Sequence, residues 1–189
     1  MVGKYTPMHV IYDVKQQDLQ NKSSIVVGGH VVDSTKHTTY AVTIKNVYVR
    51  LMILISMKNI LGLMDVDIGN EIFAASCAES IWSFCGAEFG PKCVAVVILK
   101  WDLYGLKTAP NSFQKYSGEF LIGLGFTPSK VYQCFWIHKS RNYEGYYYIA
   151  THVDDFVIVA NNPSKYMHDI EMHFKVRDIT DSPNYYLGK

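Results

Sequence analysis

A chain of 189 residues with 49% hydrophobic and 14% aromatic residues can bury a sizeable core, and a charged fraction of 19% does not describe a disordered chain. The length suits one domain, or one domain with a small appendage. A net charge of +1 lacks the basic footprint of a strong stand-alone nucleic-acid binder, although a local patch is enough for a weaker one.

The first elements in chain order are short strands. Val10 to Val14 is an apolar run, Asp13 to Ser24 is polar and reads as a turn, and Ile25-Val26-Val27 is a second strand stopped by Gly28-Gly29. Together they predict a β-hairpin, followed by a polar loop over Asp33 to Thr39. Asn46 to Leu63 then reads as a helix, apolar almost all round and so expected to be buried on most faces, with Gly62 as its stop. Arg50 and Lys58 interrupt the apolar window from Val47 to Met64, which argues for a buried helix and against a membrane span.

Met64 to Ile68 predicts a short strand that carries Asp65 and Asp67 on one face, because side chains alternate along a strand. Val94 to Leu99 is an apolar strand. Pro110 to about Leu124 is a helix, with Phe113, Tyr116, Phe120, Leu121 and Leu124 near helical spacing and Gly125 as its stop. Tyr146 to Ala160 holds two β-prone arms around Asp154-Asp155, a hairpin with both acids at its tip. Asn162-Pro163 resembles a cap and first helical residue, and Met167, Ile170 and Phe174 make one face of a helix through Lys175. Tyr185-Tyr186-Leu187 starts another strand. Helices interspersed with hairpin strands predict an α+β layer, an antiparallel sheet with helices packed on one face.

Cys77, Cys85, Cys93 and Cys134 contain no C-x-x-C pair, which argues against a structural zinc site. No secretory segment precedes them, so reduced thiols in an intracellular protein are expected. His168 and His173 lie five apart, the wrong spacing for two ligands on one helix face. Tyr146 to Tyr148 are expected to pack in the sheet.

The acids are the chemically suggestive groups. Asp is a common turn residue, so Asp154 and Asp155 alone do not distinguish a turn from a site. Asp67 on a separate strand changes the argument: three carboxylates converging from two strands can hold two hard cations, which clamp the attacking and leaving oxygens of a phosphoryl transfer. Asp65 is the rival first ligand.

Leu103-Tyr104-Gly105-Leu106-Lys107-Thr108-Ala109-Pro110-Asn111-Ser112-Phe113 resembles the L-Y-G-L-K-Q-A-P-R-A-W motif of copia-type retrotransposon reverse transcriptases, followed at the family's distance by the V-D-D hairpin. Other segments match that family in order: Tyr12-Asp13-Val14-Lys15; Lys22 to His30, similar to K-A-R-L-V-A-G-G-H; Asp67-Ile68-Gly69-Asn70; Ile81-Trp82; Ala87-Glu88-Phe89-Gly90; Leu124-Gly125-Phe126 with Ser129; Phe174 to Asp178; and Tyr185 to Gly188.

The resemblance implies a polymerase fingers and palm with the thumb absent: one partial domain over 1–189, with about 8–45 a fingers-like hairpin region and about 46–189 the palm with remaining fingers elements. It implies that Asp67, Asp154 and Asp155 ligate two magnesium ions, with manganese as a substitute, for transfer of nucleotides onto a primer 3′-hydroxyl. It also implies nucleotide or template contacts from Lys22, Ile72, Gly105, Lys107 and Lys175, with Lys175 or Arg177 assisting. Partners would be an RNA or DNA template with primer, deoxynucleoside triphosphates and the rest of a Pol polyprotein with RNase H and integrase. No membrane is implied, and a cytoplasmic particle is the expected setting.

The sequence departs from that pattern at several places. His152 replaces the tyrosine of Y-V-D-D, Ser24 the arginine of K-A-R and Asn111 the arginine of Q-A-P-R-A-W. Ile72 stands where the family places a bulky aromatic that excludes the 2′-hydroxyl, and Asp102 stands at a small-residue position and is expected to be solvated. Two rivals follow: a truncated, inert remnant of such a domain, and an unrelated magnesium-dependent phosphohydrolase using Asp154 and Asp155, which leaves the Leu103 to Pro110 match unexplained.

Overall fold

The structure, a computed structural model, describes residues 3–14, 21–29, 39, 41–69, 75–140 and 145–181. Its contacts divide the chain into two compact units, Met1–Ala41 with Ile72–Phe113, and Val42–Glu71 with Gln114–Lys189.

In the first unit, β2 (Met8–Val14) pairs antiparallel with β3 (Asn21–Val27). The predicted hairpin is therefore present but longer: Asp13, Val14 and Asn21 to Ser24 are ladder residues, because backbone pairing carries the strands past their apolar cores. β1 (Lys4–Tyr5) runs parallel to β5 (Ser76–Phe84), which pairs antiparallel with β6 (Val96–Trp101). Val27, Ile81, Leu103, Leu106 and Ala109 form this unit's buried core. Tyr104 bridges Val26 and its carbonyl accepts from the Val27 amide at 2.8 Å. Gly105, at φ 97°, follows directly, and a Cβ there would collide with the Val27 carbonyl. That contact makes glycine necessary at 105.

The second unit is built on a six-stranded antiparallel sheet: β4 (Gly62–Ile68), β7 (Thr127–Pro128), β8 (Phe135–Lys139), β9 (Tyr146–His152), β10 (Asp155–Ala160) and β11 (Val176–Asp181), in the order β11-β4-β10-β9-β8-β7. β10 and β4 are thus interior strands, each flanked by a strand on both sides. α1 (Asn46–Asn59) buries Val49 and Met52 with Ala150, Val157 and Val159 on one face. α3 (Pro163–His173) covers the other face: Ser164 lies against Met64, and Phe174, just past its end, meets Phe156 edge-on. Helices on both faces correct the one-face expectation. The reason is that Val157 and Val159 are as apolar as Phe156 and Ile158, so β10 needs cover on both sides.

α1 ends at Asn59, short of Leu63. Ile60 takes the left-handed cap conformation at φ 54°, and Gly62 opens β4. Only Val49, Met52 and Ser56 of α1 are buried, while Val47, Leu54 and Met57 are exposed. This corrects the expectation of burial on most faces: a helix on one side of a sheet covers one stripe, whatever its composition.

α2 (Ala109–Gly123) matches its prediction, and Gly125, at φ 90°, follows its end. Its Tyr116 and Phe120 stack on His173, which gives that histidine a packing role. The cysteines are free, with Cys85 and Cys134 buried. Tyr147 and Tyr148 pack against His138 and Phe135 in the sheet. Among the described residues no helix is long and apolar enough to cross a membrane. The strand at Tyr185 to Leu187 and, apart from Thr39, the loop from Asp33 lie outside the described residues.

Candidate active site

Alternation along β4 buries Met64, Val66 and Ile68 and turns Asp65 and Asp67 to the opposite face. In the antiparallel ladder with β10, Asp67 stands directly opposite Asp155, and Asp65 opposite Val157. Cross-strand partners share a face, so Asp67 and Asp155 are neighbours at the end of these two strands. Asp65 is one pleat further from the hairpin tip.

The tip is a two-residue turn, Val153-Asp154, between His152 and Asp155, which pair across β9 and β10. The Ile68 amide donates to the Asp154 carbonyl at 2.8 Å, which ties the turn to the end of β4. Val153 is held at φ 52°, an uncommon region for a β-branched residue.

β11 lies on the outer side of β4. Val176 pairs with Ile68 and Asp178 with Asp67, so Arg177 is an extra residue, a β-bulge. Its Nη1 donates to Asp67 Oδ2 at 3.1 Å. Gly69 admits this approach: its amide donates to the Lys175 carbonyl at 2.7 Å, and a Cβ there would crowd that carbonyl and come into contact with the Arg177 Cβ.

Crowding of carboxylates shapes the electrostatics. Burial, reinforced by Asp154, Asp65 and Asp67 and opposed by Arg177, pushes Asp155 up to about 7. Burial also lifts Asp65 to about 6, opposed by a hydrogen bond from the Val66 backbone and reinforced by Asp67 and Asp178. Asp154 is raised by burial and by Asp67, against its own backbone hydrogen bond, Arg177 and His152. His152 is lowered by burial, which outweighs the attraction of Asp154.

Carboxylate oxygens are the donors that hard divalent cations take, and Oδ1 of both Asp65 and Asp67 is buried with no hydrogen-bond partner. Donor type and orphaned oxygens therefore fit a magnesium-sized ion. As the side chains stand, no three His, Cys, Asp or Glu groups among the described residues are gathered to hold one. Asp67 gives its second oxygen to Arg177 instead.

Asp67, Asp154 and Asp155 are thus brought to one end of the sheet. Lys175 is exposed beside them, its carbonyl engaged by Gly69. Gly105 and Lys107 are exposed residues of the first unit. The Lys22 side chain and all of Ile72 lie outside the described residues. Asp102, expected to be solvated, is 0% exposed. Its amide is bonded to the Ala75 carbonyl just past the end of β6, and neither carboxylate oxygen has a hydrogen-bond partner. Asp178 is an acid that sequence reasoning did not place here. The signal was present in the polar run Val176-Arg177-Asp178, but only pairing with β4 shows that it is a strand.

No curated protein matched the sequence. A family model described as reverse transcriptase (RNA-dependent DNA polymerase) matches residues 3–189, a span that contains β4 and β10, the acidic hairpin and the bulged strand beside them. The chain belongs to the reverse transcriptase family.

Proposed function

We propose that this chain is the fingers and palm portion of a copia-type reverse transcriptase, in which Asp67, Asp154 and Asp155 hold two magnesium ions for nucleotidyl transfer. The observation that carries the reading is the register that sets Asp67 against Asp155, with Asp154 tied to the end of β4, in a chain of this family. The copia assignment rests on Leu103 to Phe113 and on the order of the other motif matches. When bound, the ions lower the pKa of a primer 3′-hydroxyl and stabilise charge on the α-phosphate and departing pyrophosphate.

The chain's own contribution is placement. Two adjacent interior strands fix the Cα positions of Asp67 and Asp155, and the tight turn fixes Asp154. The crowded acids hold protons that a divalent cation displaces, since a nearby positive charge favours the ionised carboxylate. Template and primer, deoxynucleoside triphosphates and the RNase H and integrase of a polyprotein are the proposed partners. Manganese is the proposed substitute ion and a cytoplasmic particle the proposed setting. The test is template-directed extension of an oligo-dT primer on poly-rA with magnesium. Incorporation of dTTP in preference to the other nucleotides supports the reading, and template-independent release of phosphate from simple esters opposes it.

A second reading, a folded remnant that no longer polymerises, is favoured by one observation: an Asp67 oxygen is committed to Arg177. Ser24 and His152 at family arginine and tyrosine positions point the same way. It predicts no extension on any template at any magnesium concentration.

A further inference from the structure

We propose that Arg177 is a built-in competitor of the divalent cation at Asp67: its guanidinium and the metal contend for the same carboxylate, so that Arg177 sets how tightly the site takes metal. The inference rests on the reading of Asp67, Asp154 and Asp155 as metal ligands.

Arg177 owes its position to the bulge. A regular ladder would have set residue 177 opposite Asp67 as a cross-strand partner; the extra residue removes it from the pairing and moves Asp178 into that place. Bulges re-aim side chains in this way beside active sites. Glycine at 69 leaves room for the displaced strand, with the Arg177 Cβ in van der Waals range of the space that a side chain at 69 would fill. Nη1 then reaches Asp67 Oδ2 at 3.1 Å.

The pair is not a structural necessity. Its side chains are 36% and 28% exposed, and exposed ion pairs contribute little to folding. A cation that adds little to the fold yet sits on the acid opposite Asp155 is placed to act on what that acid binds. Asp67 keeps its other oxygen, Oδ1, buried and without a partner, so the carboxylate is half committed. Closing Asp67 with Asp154 and Asp155 on one ion exchanges the guanidinium for the metal. Releasing the charge-assisted Arg177–Asp67 hydrogen bond sets the scale of the competition at about tenfold or more in metal affinity.

Manganese titration by isothermal calorimetry of wild type, Arg177→Gln, Arg177→Lys and Asp154→Asn tests this, with circular dichroism as the folding check. The expected result is metal binding about tenfold tighter in Arg177→Gln, wild-type affinity in Arg177→Lys, and loss in Asp154→Asn. Unchanged or weaker binding in a folded Arg177→Gln protein overturns the competition while leaving the metal site standing. Binding that survives Asp154→Asn, or no binding in any variant, overturns the site reading and the competition with it. If Arg177→Gln does not fold, Arg177→Met takes its place: about tenfold tighter binding that still depends on Asp154 is expected, and unchanged or weaker binding overturns the competition.

Discussion

Asp67 and Asp155 face each other across two adjacent interior strands of the sheet, and the backbone of Asp154 is bonded to the residue that follows Asp67. Strands paired on both edges, β10 buried on both faces and β4 on one, hold these positions, the kind of rigid support that a metal-binding constellation needs.

The rival acid on β4 separates by mutation. Asp67→Asn is expected to lower primer extension by at least about a hundredfold, the scale of losing a principal electrostatic group. Asp65→Asn, one pleat away and opposite Val157, is expected to keep most activity. Steady-state extension with both purified variants checks this, and the reverse order would move the first ligand to Asp65.

Stability of the chain without divalent cations should fall as pH rises. Asp155 has a folded value near 7 and Asp65 near 6, both above the ordinary 3.8. A raised folded pKa means the native state holds protons that the unfolded chain has released. The stabilisation is fully present below about 4 and is lost as pH climbs through about 6–7. Urea midpoints in chelator between pH 4.5 and 8 should decline, and the slope should shrink in Asp155→Asn. A flat profile in wild type would contradict the raised, buried carboxyls of Asp155 and Asp65.

Asp102 is expected to destabilise the chain. It is a fully buried carboxyl raised by burial, with only the Ser112 hydroxyl and the Cys77 thiol opposing that rise, and Ser112 Oγ donates to the Thr108 carbonyl. Asp102→Ser should gain about 1 kcal/mol, the cost of burying a carboxyl that the Ser112 hydroxyl and the Cys77 thiol satisfy only in part. An increased urea midpoint at constant m-value checks it. The gain should diminish toward pH 4, where the unfolded carboxyl is also protonated.

Ile60 closes α1 in the left-handed region while 92% exposed. Ile60→Gly removes the Cβ strain without uncovering core and should add about 1 kcal/mol. Thermal unfolding reads this directly, and a lower midpoint would mean that Ile60 makes contacts its exposure does not reveal.

The site was more legible in the sequence than its surroundings. Asp154-Asp155 stood between two apolar arms, and Asp67 alternated with Val66 and Ile68, so local pattern alone placed them at strand ends. β5 and β11 were not legible, because Ser-Cys-Ala-Glu-Ser and Val-Arg-Asp-Ile-Thr-Asp carry no clean alternation and become strands through pairing with β6 and β4. The Arg177 bulge depends on that pairing and has no sequence signature. The exposed side of α1 was hidden for a different reason: a helix apolar on every side does not say which stripe meets the sheet. Asp102 was misplaced because a charge at a small-residue position of the resembled family suggests a solvated side chain, whereas the chain there folds inward at Leu103 and Leu106.

The central claim, a metal-dependent polymerase site built on the acidic hairpin, is tested most directly by dTTP incorporation on poly-rA/oligo-dT with wild type and Asp154→Asn side by side in magnesium. Extension by wild type that Asp154→Asn lacks is the predicted result. Equal extension by both proteins would contradict it.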